Sequence, residues 1–142
     1  MVFEKAWASI QPDLIIKARD MPEGLVVTHA GMGGVEEGGK RAGLPTFYSA
    51  DMWEPAMRVN AANHPEGFHD LVEFGSGEYG SIPAVASRIL DAANDRNYHF
   101  HGSPPCQNLS RANPNRNISH ALNNPGGIVW WYELLNLLQE CD

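Results

Sequence analysis

Leu25-Val26-Val27-Thr28-His29-Ala30-Gly31-Met32-Gly33-Gly34 is the stretch from which the fold can be read. Leu25–Thr28 is a short β-branched run, the composition of a buried strand. Gly31, Gly33 and Gly34 follow as a turn, because glycine accepts backbone angles that other residues avoid. Val35–Ala42 then reads as a helix, with Gly43 just past its end as the stop residue. A strand, a glycine turn and a helix form the opening of a βαβ unit.

The alternation continues along the chain. Thr46–Ser49 reads as a second strand with Asp51 at its C-terminal end. Glu54–Ala62 reads as a second helix with Pro55 in the first turn, where a missing N–H is harmless. Asn63-His64-Pro65 ends it. His69–Phe74 is expected as a third strand carrying Asp70 and Leu71. Gly75–Gly80 is a glycine-rich loop, Ile82–Ala93 a third helix and Asn97–His101 a fourth strand. Ala112–Pro125, rich in Asn and Pro, reads as a loop. Ile128–Leu138 is a strongly apolar helix, with Trp130, Trp131, Tyr132 and Leu134–Leu138 expected on its buried face. This order predicts an α/β protein with a mostly parallel sheet, right-handed crossovers and helices on both faces: a partial Rossmann-like fold. Residues 1–23 are assigned to an N-terminal helical extension, with Phe3, Trp7, Ile10 and Leu14 on one face and Pro12 interrupting it. Residues 24–142 form the main domain.

Composition bounds the function. The chain has 142 residues, enough for one domain with a core. Hydrophobic residues make up 43% and charged residues 19%, which is globular rather than disordered. No apolar run reaches the roughly 18 residues of a membrane span, and the N-terminus does not resemble a signal peptide. A cytoplasmic chain without membrane contact is expected, in a bacterial cell or a phage-infected host. Its two cysteines, Cys106 and Cys141, are then free thiols. The net charge of −7 argues against this chain holding a nucleic-acid backbone by itself. Arg111 and Arg116 are local bases that either touch phosphate or stay solvated. His64, His69, His99, His101 and Cys106 match no usual zinc spacing, so no metal site is expected.

Two features carry chemistry. The first is the glycine turn: its amides open a helix N-terminus, which favours an anionic group. Asp51, one strand over, is suited to accept hydrogen bonds from ribose hydroxyls, with Met52 beside it; the alternative is a helix N-cap. Ligands in such sheets bind beyond the C-terminal strand ends, where Gly31–Gly34, Asp51 and Asp70 all fall. The second feature is Gly102-Ser103-Pro104-Pro105-Cys106-Gln107-Asn108-Leu109-Ser110. Proline fixes its own φ and pushes the preceding residue out of the helical region, so Cys106 sits on a stiff loop. That suits a nucleophile that meets a flat substrate at one angle. The alternative is a proline-rich turn with a buried structural thiol.

Gly102–Ser110 resembles the catalytic proline-cysteine loop of DNA cytosine-5 methyltransferases. His29-Ala30-Gly31-Met32-Gly33-Gly34 resembles that family's cofactor motif. Ser49-Ala50-Asp51 with Asn60 and Asn63-His64-Pro65 resembles its second motif. The three stand in the family's order and span about residues 24–140. His29 stands where the family usually has phenylalanine, and Asp51 where glutamate is commoner.

The resemblance implies S-adenosylmethionine as cofactor, held by His29, Ala30, Gly31, Met32, Gly33, Gly34, Asp51, Met52, Asp70, Leu71, Ser103 and Pro105. Asp70 matches the acid that takes the adenine amino group. Cys106 is implied as the nucleophile, with Gln107 and Ser110 near a flipped cytosine and Asn108 a weaker candidate. The implied partner is double-stranded DNA, bound together with a C-terminal half that this chain lacks. No Glu-Asn-Val occurs, the family's element for cytosine N3. The sequence is therefore expected to be a truncated chain, one subunit of a split enzyme or a degenerate relative. It should be inactive alone, with Asn97–His101 as an open sheet edge that favours self-association or a complementing subunit. Three alternatives stand beside this: a noncatalytic S-adenosylmethionine-binding module, an RNA cytosine methyltransferase and an amino-group methyltransferase. Cys106 and Gln107 count against the last, whose loop carries an aromatic residue after its prolines.

Overall fold

A computed structural model describes residues 21–106, 112–115 and 117–141. The expected helix over residues 3–20 lies outside them, as do Gln107, Asn108, Ser110, Arg111 and Arg116. The order is β1 (Gly24–Thr28), α1 (Gly34–Arg41), β2 (Thr46–Asp51), α2 (Glu54–Asn63), β3 (Phe68–Leu71), α3 (Ile82–Ala93), β4 (Tyr98–Gly102), α4 (Ile118–Asn123) and α5 (Ile128–Glu140). The four strands form one sheet in the order β3-β2-β1-β4, and every pair is parallel. The chain is an α/β protein with a partial Rossmann-like fold.

The strand order fixes the helix layers. Going from β1 through α1 to β2, then through α2 to β3, the chain steps the same way across the sheet. After β3 it crosses back through α3 to β4 on the far side of β1. With right-handed crossovers this puts α1 and α2 on one face and α3 on the other. The direction reverses beside β1, so a crevice opens between the C-terminal ends of β1 and β4.

Side chains alternate across each strand, so Val26, Tyr48 and Ala50 share one face. They are buried with Val85, Ala86 and Ile89 of α3 and with Trp130, Leu134 and Leu138 of α5. The residues of α5 that enter the core recur at helical spacing, so its apolar stripe faces α3. Tyr132 lies outside that stripe and is exposed, which corrects its expected place on the buried face. Trp131 is partly buried, packs at a tilt against Phe100 with ring centroids 5.7 Å apart, and lies where any side chain at position 102 would go. Gly102 therefore lets α5 close on the exit of β4 and fix where the proline-cysteine loop begins.

Two elements depart from expectation. The third strand ends at Leu71 rather than Phe74. Its partner β2 ends at Asp51, and the Val72 N–H closes the ladder on the Asp51 carbonyl at 3.1 Å. Beyond that there is nothing left to pair with. Inside the expected loop 112–125, residues Ile118–Asn123 form a short helix. Among the described residues no helix is long and apolar enough to cross a membrane.

Candidate functional site

The glycine turn and Asp51 are one structure. Gly33, at φ 94, is the N-cap of α1, and Gly31 has φ 56. The Gly31 N–H donates to Asp51 Oδ2 at 3.0 Å, and the Trp53 N–H donates to Asp51 Oδ1 at 2.9 Å. Asp51 thus ties the turn after β1 to the turn after β2. Trp53, not Asp51, is the N-cap of α2; Asp51 makes an Asx turn before it. An ionised carboxylate has about four lone-pair sites, so about two remain for a ligand. Positions Gly31 and Gly34 face open space.

A cleft of about 230 Å³ lies at these strand ends. His29, Asp51 and Met52 line one side, Glu73 and Phe74 another, and Pro105 with the 124–126 segment the rest. The cleft is smaller than the roughly 300 Å³ at which small-molecule pockets usually begin, so it encloses part of a nucleoside-sized ligand. A larger groove of about 650 Å³ sits at the opposite end of the sheet, beside Pro22, Asn97 and Cys141. Ligands of parallel sheets bind at the C-terminal ends, which favours the smaller cleft.

His29 forms its wall. The ring lies 4.7 Å from that of Phe74, which in turn lies 4.8 Å from Trp130. Nε2 is 3.0 Å from the Gly126 carbonyl oxygen. A carbonyl only accepts, so Nε2 carries the proton and donates. Burial pushes the His29 pKa below its usual 6.5, against the raising effect of this hydrogen bond and of Asp51. His29 thus packs on aromatic neighbours and also latches the 124–126 segment.

Asp70 has a different place from the one expected. It is 2% exposed. Its Oδ2 accepts from the Tyr48 hydroxyl and from Arg88 Nε at 2.7 Å, and its Oδ1 accepts from the Tyr79 hydroxyl at 2.7 Å. Arg88 also donates to the Tyr79 carbonyl at 2.9 Å and covers the Tyr79 ring at 3.8 Å. Burial, and then the bond to Asp70, pushes the Tyr48 pKa far above its usual value, so Tyr48 stays a neutral donor. The bond to Asp70 likewise raises Tyr79. Asp70 pins the Gly75–Gly80 loop to α3 and does not line the cleft. Leu71 is half-exposed and also off the cleft.

Glu73 is the acid that lines the cleft in place of Asp70. Val72 and Phe74 are buried and Glu73 is exposed, so alternation persists beyond the last paired residue. That alternation, Val-Glu-Phe, was the signal available in the sequence. Gly126 was missed too, although Pro125-Gly126 is a turn dipeptide.

The remaining expected residues divide. Ala30 donates its N–H to the Ala50 carbonyl at 3.0 Å and belongs to the turn itself. Met32 is exposed and off the cleft, whereas Met52 lines it. Ser103 Oγ pairs with His101 Nε2 at 3.1 Å, and its N–H reaches toward the Thr28 carbonyl at 3.4 Å. Cys106 is a free, exposed cysteine next to the cleft-lining Pro105, so the buried-thiol alternative does not hold. Cys141, also free, lies by the groove at the start of β4. Among the described residues no group of three His, Cys, Asp or Glu is arranged to hold a metal.

No family model matches this chain, and no curated protein is significantly similar to it.

Proposed function

We propose that this chain is the cofactor-binding and nucleophile-bearing part of an S-adenosylmethionine-dependent DNA cytosine-5 methyltransferase. One observation carries the reading. The proline-cysteine loop leaves β4 with Pro105 in the same cleft as Asp51, so the nucleophile's loop and the strand-end acid meet at one crevice. The residues present fit a nucleoside cofactor. The turn at Gly31–Gly34 is open in front and starts a helix, which suits a carboxylate. Asp51 retains acceptor capacity for paired hydroxyls. Met52 and Phe74 offer apolar faces to a base, and Glu73 replaces Asp70 as the acid for an amino group.

When bound, the cofactor supplies the methyl group as a sulfonium cation. The cytosine has to leave the duplex to reach the loop. The Cys106 thiolate adds to cytosine C6, and the electron pair displaced onto C5 takes up the methyl group. Loss of the C5 proton to a base then restores the double bond and expels the thiolate. Glu-Asn-Val is missing from the sequence. On this reading, an element of that kind from outside these 142 residues holds cytosine N3, along with most of the DNA.

A duplex containing 5-fluorocytosine blocks the proton loss and traps the covalent adduct. With cofactor and a complementing Glu-Asn-Val chain, the wild type and Cys141→Ser should form a denaturation-resistant adduct and Cys106→Ser none. An adduct with Cys106→Ser, or none with the wild type, removes the covalent reading.

A further inference from the structure

Behind the glycine turn lies a sealed polar cluster that touches neither the cleft nor the cysteine loop. Glu36 of α1, Ser49 of β2 and Asn60 of α2 are all fully buried, and His64 at the end of α2 is nearly so. The Ser49 hydroxyl donates to Glu36 Oε1, and Asn60 Nδ2 lies 2.9 Å from both Glu36 Oε1 and Ser49 Oγ. Glu36 Oε2, Asn60 Oδ1 and His64 Nδ1 have no partner among the described residues. A buried polar group left incomplete costs stability, so such a cluster calls for an explanation beyond packing.

Its contacts with the turn supply one. Asn60 Nδ2 reaches toward the Gly31 carbonyl at 3.5 Å, a long contact. A side chain at Gly33 would lie only 3.0 Å from Asn60 Oδ1 and from His64 Cδ2. Asn60 therefore abuts the two glycines with positive φ, while Glu36 and Ser49 hold its amide in one orientation. A rigid backing matters here, because glycines have the most conformational freedom to lose and set the direction of the Gly31 N–H that meets Asp51.

We infer that Asn60 is a positioning residue for the Gly31–Gly34 turn, acting from behind it and never touching the ligand. The inference rests on the reading of that turn as a ligand site only for its effect on binding; the effect on the turn itself is independent. The test uses the whole chain and two readouts: amide hydrogen exchange at Gly31, and calorimetric binding of S-adenosylhomocysteine. In Asn60→Ala the Gly31 amide should exchange about ten-fold faster, beyond any change at the Val26 and Val27 amides of the same sheet. The dissociation constant should rise by about the same factor. Ser49→Ala removes one of the two groups that hold the Asn60 amide but leaves Asn60 itself against the turn, and should accelerate Gly31 less than Asn60→Ala does. Asn60→Ser keeps a polar group in the site and takes the same test if the alanine variant unfolds. Unchanged Gly31 exchange in the Asn60 variants, or equal acceleration in Ser49→Ala, overturns the inference. A wild type that fails to bind the ligand overturns the proposed function instead, and the exchange result still decides the role of Asn60.

Discussion

Asp51 and Asp70 are both aspartates near the C-terminal ends of neighbouring strands, β2 and β3, yet they differ in every neighbour that matters. Asp51 meets two backbone N–H groups and an open cleft. Asp70 meets two tyrosine hydroxyls and an arginine, and is closed off from solvent. One residue type at one kind of position therefore borders an open cleft in the first case and anchors a loop in the second. The deciding feature is the supply of side-chain donors: among the described residues Asp51 meets none and keeps acceptor capacity, whereas Asp70 has three and spends it within the fold.

The contrast can be broken most forcefully at Asp70. Asp70→Ala leaves Arg88 without its carboxylate partner and the buried Tyr48 hydroxyl without an acceptor. Breaking a buried pair costs about 3–5 kcal/mol, a large share of the roughly 5–15 kcal/mol that holds a domain together. Asp51→Ala removes two backbone hydrogen bonds at a half-buried site and should cost only about 1–2 kcal/mol. Urea unfolding of the two variants measures the gap directly, and equal losses would erase the distinction between anchor and ligand acid.

A smaller effect sharpens the comparison on the cleft side, at His29. Its pKa is lowered in the folded state by burial. The unfolded chain therefore binds more protons, and stability rises with pH across this range. The contribution is complete above the ordinary value of about 6.5 and is lost as pH falls through the lower folded value. Thermal melts at pH 7.5 and 5.5 should show a larger drop for the wild type than for His29→Phe, which keeps the ring packing on Phe74 and removes the titration. An identical drop in both proteins would mean that His29 does not titrate across this window.

What was legible in the sequence was what short-range chemistry fixes. Leu25–Thr28 and Thr46–Ser49 are apolar, β-branched or aromatic runs that close against each other, and Gly43 ends α1 with the positive φ, 81°, that a stop residue adopts. The place of Asp51 at the cleft was legible because it lies where β2 stops. Asp70 was not, because its role is set by Tyr48, 22 positions before it, and Arg88, 18 after. For Glu73 the Val-Glu-Phe alternation was in the sequence, but nothing local marked where the paired strand ends, since that depends on where its neighbour β2 runs out. The helix Ile118–Asn123 was obscured by its composition, since serine and asparagine are residue types that favour turns and caps over helix interiors. Asn60 could be matched to a motif position, but its contact with the turn depends on the approach of α2 to α1.

The measurement that bears most directly on the cleft is calorimetric titration of S-adenosylhomocysteine into the 142-residue chain and its Asp51→Ala, Gly33→Val and Asp70→Asn variants. The cleft encloses only part of such a ligand, so the wild type should bind weakly, with Kd of about 10–1,000 μM. Asp51→Ala and Gly33→Val should lose detectable binding, and Asp70→Asn, where it remains folded, should keep it. No binding by the wild type, or binding that survives both cleft substitutions, would contradict the assignment of this crevice as a nucleoside cofactor site.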